Sequence, residues 1–75
     1  MKCITADQKI CHGKPVFKGT MILVSDILEL LASGMSIKEI LNEYPSLNEE
    51  MIREALDYAA KVIKREYHVK FEVSA

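Results

Sequence analysis

The side chains with chemical potential in this chain are few and scattered. Cys3, Cys11 and His12 are soft metal-ligand types close together in the sequence. Zinc takes four ligands, brought in by paired spacings. No Cys-x-x-Cys pair is present, and a fourth ligand would have to come from His68. The two cysteines therefore read as small half-buried side chains, and His12-Gly13 reads as a turn. Asp7 stands where it could pair with His12, but no nucleophile completes a Ser-His-Asp set. Gly13-Lys14 is a dipeptide and not the long glycine-rich run that cradles a phosphate. The expectation is a protein that is not an enzyme, with no cofactor and no metal.

A second group of residues suits nucleic acid. Asn48 and Arg53 lie at the start of the third helical segment, and both types read base edges well. Lys14 and Lys18 upstream, with Lys61, Lys64 and Arg65 downstream, are suited to phosphate contacts. Glu49, Glu50, Glu54 and Asp57 share that helix start with Asn48 and Arg53, and they repel phosphate.

Three capped helices position these groups. The chain has 75 residues, enough for a single domain over 1–75. A domain of this size buries only about 60% of the surface its unfolded chain exposes. The hydrophobic fraction is 49%, generous for so thin a core, so part of the apolar surface is expected to face another chain and a homodimer is the expected assembly. The net charge of −1 gives no global attraction to nucleic acid or to an anionic membrane. Its distribution is uneven. Residues 1–24 set Lys2, Lys9, Lys14 and Lys18 against Asp7, whereas the first two helices set Asp26, Glu29, Glu39 and Glu43 against Lys38. Two cysteines are too few for a disulfide scaffold. No long apolar run follows Met1-Lys2, and no stretch approaches the roughly 18 apolar residues of a membrane span. A reducing cytoplasm is the expected location.

Residues 1–24 read as a β ribbon. Val16-Phe17, Lys18-Gly19 and Thr20-Met21-Ile22 form a hairpin pattern, with Gly19 supplying a positive φ. Residues 25–66 read as a three-helix bundle. The first helix runs from about Ser25, read as its N-cap, to Ser33, with Gly34 just past its end. Val24, Ile27, Leu28 and Leu31 form its apolar stripe. The second runs from about Ile37 to Tyr44. Ser36 and Glu39 have capping-box spacing, and Met35 and Ile40 have staple spacing. Pro45 pushes Tyr44 out of the α region and stops the helix. The third runs from about Glu49 to Glu66, capped by Asn48 and stapled by Leu47 and Ile52. Ile52, Ala55, Leu56, Ala59 and Ile63 make its expected inner stripe. Residues 67–75 alternate apolar and polar side chains and read as a tail strand, with Tyr67, Val69 and Phe71 as candidate partner-binding residues. The fold class is mainly α: a helix-turn-helix bundle with a small N-terminal β ribbon and a C-terminal strand.

The run Ile10-Cys11-His12-Gly13-Lys14-Pro15-Val16-Phe17-Lys18-Gly19-Thr20, together with Tyr44-Pro45-Ser46-Leu47, resembles a known family. It is similar to the small prokaryotic proteins of domain of unknown function 433, over about residues 3–60. The resemblance implies a homeodomain-like three-helix fold. It also implies an antitoxin-like role beside a toxin of the PIN-like ribonuclease type encoded nearby. No catalytic residues come with it. Met21 stands where the family pattern has Arg, and Leu23 where it has Pro. The resulting expectation is an antitoxin-like helix-turn-helix protein that binds duplex DNA, masks such a toxin, or does both. The alternative is a protein-interaction module without DNA binding.

Overall fold

The computed structural model describes residues 2–66 of the chain. The tail expected as a strand over 67–75, with Tyr67, Val69 and Phe71, lies outside the described residues. The chain begins with two short antiparallel strands, β1 (Ile4–Thr5) and β2 (Val16–Phe17), in the register Ile4 to Phe17 and Thr5 to Val16. Three helices follow: α1 (Val24–Ala32), α2 (Ile37–Glu43) and α3 (Glu49–Glu66). The mainly helical class with an N-terminal ribbon is as the residue pattern predicts.

The ribbon is held by pairing on both sides of β2. After Phe17 the chain doubles back through Gly19, whose φ is +79°. The Phe17 N–H donates to the Ile22 carbonyl at 3.1 Å, and Val16 bridges Leu23. The expected hairpin is present, and β1 adds to its other edge. Between the strands, a single 3-10 turn spans Cys11–Gly13. His12 sits there at φ 56°, in a left-handed region that His enters more readily than most residues.

One predicted cap is corrected. The N-cap of α1 is Leu23, with no side-chain cap, and Ser25 lies exposed inside the helix. The reason is tertiary. The Val24 N–H, one of the donors a helix start leaves unpaired, donates to the Pro15 carbonyl at 3.0 Å. Bridge pairing at Leu23 fixes the chain direction, so no hydroxyl is needed. The end of α1 matches the pattern. Gly34 has φ +103°, its N–H donates to Leu31 at 3.0 Å, and the Met35 N–H reaches back to Leu30 at 3.1 Å. These two bonds are a Schellman motif.

The other two caps form as the spacing predicts. The Ser36 hydroxyl accepts from the Glu39 N–H at 3.1 Å, and Glu39 Oε1 accepts from the Ser36 N–H at 2.8 Å. That backbone donor, then the hydroxyl, holds the Glu39 carboxyl below its usual range. Tyr44 ends α2 at φ −123°, ψ 78°, outside the α region as Pro45 demands. Asn48 Oδ1 accepts from the Met51 N–H at 2.9 Å and caps α3.

The core lies where the ribbon meets the three helices. Phe17, Ile27, Ile40, Ile52 and Ala55 are fully buried, with Ile4, Val24 and Leu47 around them. Among the described residues no polar or charged side chain is buried. Leu56 and Ile63, expected on the inner stripe of α3, are instead 46% and 53% exposed. At 1.5 Å per residue α3 is about 27 Å long, against about 14 Å for α1 and 10 Å for α2. Its apolar face therefore outruns the elements that cover it among the described residues. Leu56, one step of 100° past Ala55, falls on the shoulder of the helix.

Candidate recognition surface

The turn Tyr44-Pro45-Ser46-Leu47 packs α2 against α3 and leaves the first turns of α3 facing outward. Leu47 and Ile52 anchor that start in the core, while Asn48, Glu49, Glu50 and Arg53 are exposed. The candidate reader Asn48 spends its Oδ1 on the cap, accepting from the Met51 N–H. The candidate reader Arg53 donates from Nη2 to Glu49 Oε2 at 3.0 Å, one turn away on the same helix. Farther along, Lys61 pairs with Asp57 at 3.1 Å.

The N-terminal segment covers one flank of the same helix. The Cys3 N–H donates to Glu54 Oε2 at 2.6 Å across 51 residues of sequence. Lys2 Nζ lies 3.6 Å from Glu50 Oε2. The Lys18 N–H donates to the Cys3 carbonyl at 2.8 Å, so the ribbon that carries Lys18 adjoins α3 through Cys3. Lys14 sits at the far end of β2, beside Pro15. Both lysines are exposed. Among the described residues, the side-chain contact of Arg53 is with Glu49 and that of Asn48 is with the Met51 N–H, and neither involves Lys14 or Lys18.

Partial burial, then the charge of Glu54, pushes the Cys3 thiol pKa up. The folded chain thus holds this proton more tightly than the unfolded chain. The resulting stabilisation is present at neutral pH and is lost as pH rises through the raised value. In a Cys11→Ser background, Glu54→Gln is expected to speed alkylation of Cys3 by iodoacetamide several-fold at pH 8. The amide still accepts the Cys3 N–H, so the backbone tie survives. An unchanged rate would show that the carboxylate charge does not set the thiol's reactivity. Among the described residues, no group of three or more His, Cys, Asp or Glu side chains is placed to hold a metal ion.

A second surface had no signal in residue spacing. An open groove of about 350 Å³ runs between α1 and the second half of α3. Pro15, Val24, Ser25 and Leu28 form one wall, and Tyr58, Ala59, Val62 and Ile63 form the other. Its lining is almost wholly apolar. The sign available in the sequence was the mismatch between an 18-residue third helix and its much shorter partners.

The family model described as protein of unknown function (DUF433) matches residues 4–59. The chain belongs to the DUF433 family. A crystal structure of a DUF433 member from Anabaena variabilis ATCC 29413 superposes on this DUF433 chain with a TM-score of 0.73 and 27% identity, covering 89% of this chain and 69% of that one. The uncharacterized protein y4eO of Sinorhizobium fredii (strain NBRC 101917 / NGR234) is 39% identical over 56 residues. That match takes in 75% of this chain but spans only a quarter of the length of y4eO. Met21 is 69% exposed. No helix among the described residues is long and apolar enough to cross a membrane.

Proposed function

We propose that this DUF433 chain is a non-enzymatic recognition subunit of the toxin–antitoxin kind, which masks a PIN-like ribonuclease partner by protein–protein docking. The observation that supports this reading is the charge of the displayed start of α3. Four carboxylates, Glu49, Glu50, Glu54 and Asp57, stand there against three cations, Arg53 on Glu49, Lys2 beside Glu50 and Lys61 on Asp57, so the face stays acidic by one charge. A duplex binder gains most of its affinity by neutralising phosphates, and this surface has the opposite sign. A ribonuclease holds RNA on a cationic face, and an acidic helix is complementary to such a face. Docking there would cover the path of the substrate without any catalytic group. The tail residues Tyr67, Val69 and Phe71 supply apolar side chains for the same partner.

The test is co-expression with the product of the adjacent gene. A stoichiometric complex with suppressed ribonuclease activity is expected. Glu49→Lys combined with Glu50→Lys should weaken it by at least about tenfold, through slower association that salt also reproduces. No complex with that product would overturn the reading.

DNA binding is the second reading, favoured by the exposed Asn48, Lys14 and Lys18. It requires a low-salt mobility shift of the upstream duplex that Arg53→Ala weakens. A shift unaffected by Arg53→Ala would remove α3 as the reader.

A further inference from the structure

We infer that residues 67–75 of this chain fold back from the end of α3 and fill the apolar groove between α1 and α3. The inference concerns the free chain and does not depend on the masking reading. A partner that takes Tyr67, Val69 and Phe71 would have to draw them out of the groove.

The first observation is where the chain leaves the described fold. The α3 wall of the groove is made by Tyr58, Ala59, Val62 and Ile63, and α3 ends at Glu66, within one turn of the last of them. Along the helix axis, Ile63 lies about 5 Å and Tyr58 about 12 Å from that end. Nine residues follow Glu66. A tight turn uses about four of them. The remaining residues, when extended, cover about 16 Å, enough to run the length of this wall.

The second observation is the pattern of those residues. Tyr67, Val69, Phe71 and Val73 alternate with His68, Lys70 and Glu72. An extended backbone puts such apolar side chains on one side and the polar ones on the other. The groove asks for that division, because its lining is almost wholly apolar and its mouth is open. Its volume of about 350 Å³ limits how many side chains enter. An apolar cavity of about 150 Å³ accepts a benzene ring, so the groove has room for roughly two such groups, Phe71 and a valine beside it.

Tethering decides between this occupant and a second copy. A short linker holds the segment at an effective concentration on the order of millimolar. A free molecule reaches the groove only at its own, lower concentration, and it must also displace the tail. Ile63, 53% exposed at the lip of the groove, is the first side chain the returning segment covers.

The test is paramagnetic broadening in the full chain. In a Cys3→Ser, Cys11→Ser background, a nitroxide on Ala32→Cys sits at an exposed position one turn past Leu28, outside the lining of the groove. With nitroxide and isotope label on the same chain, the amide signals of residues 69–73 should lose most of their intensity. With the nitroxide on one chain and the isotope label on another, mixed together, those signals should keep it. Phe71→Asp should abolish the broadening and raise the fluorescence of the apolar dye ANS several-fold, while the circular dichroism spectrum stays helical. Signals of residues 69–73 that keep their intensity in the doubly labelled chain would overturn the inference. Equal broadening in the mixed sample would overturn it too, because a second copy would then fill the groove. So would a Phe71→Asp chain whose ANS fluorescence matches that of the parent.

Discussion

Phe17→Ala is expected to remove a large share of the stability of the fold. The ring is fully buried, and it sits at the junction of ribbon and helices, with Ile4, Val24, Ile27, Ile40 and Ile52 in the same cluster. Truncating a buried phenylalanine costs about 3–5 kcal/mol, from lost transfer energy and from the cavity left behind. At roughly 0.05–0.15 kcal/mol per residue, the whole fold of a chain this long is stable by only about 4–11 kcal/mol. Small domains have little reserve, so one side chain removes much of the margin. Urea denaturation followed by circular dichroism measures the loss directly. A loss below about 1 kcal/mol would mean that the helices hold together without the ribbon.

Gly34→Ala is the second large effect, and its origin differs. A Cβ at Gly34 would meet nothing within 4 Å, so no steric clash arises with the rest of the fold. The penalty is wholly in the backbone, because φ is +103° and the Schellman bonds require it. Holding an L-residue in the left-handed region costs about 1–2 kcal/mol. In a domain of this size that lowers the melting temperature by roughly 4–16 °C. Gly34→Asn should lose less, because asparagine tolerates positive φ better. Equal melting temperatures for Gly34→Ala and the parent would show that the α1–α2 turn can relax to another geometry.

Features set by neighbours in sequence were legible, and features set by distant neighbours were not. Ser36 with Glu39, Asn48, Pro45 and Gly34 each act within four residues, so their spacing alone located the ends of the helices. Ser25 was misassigned because the helix starts one residue before it, at Val24, whose N–H finds the Pro15 carbonyl nine residues earlier in the chain. Periodicity correctly put Ile52 and Ala55 inside. It also put Leu56 and Ile63 inside, because a helical repeat reports a face and not where the covering elements stop. The acidic start of α3 was readable as a charge count. The tie between Cys3 and Glu54 was not, since nothing local links residues 51 apart. The groove was hidden for the same reason: its two walls come from segments that meet only after folding.

That tie has a consequence for biosynthesis. The first strand leaves the ribosome long before the helix that anchors it, and the bond from Cys3 to Glu54 spans 51 residues of sequence. A nascent polypeptide therefore carries an amino terminus without this tie until Glu54 has been made. A stalled or truncated product that ends before residue 54 would lack this latch and present its unsecured leading end to proteases.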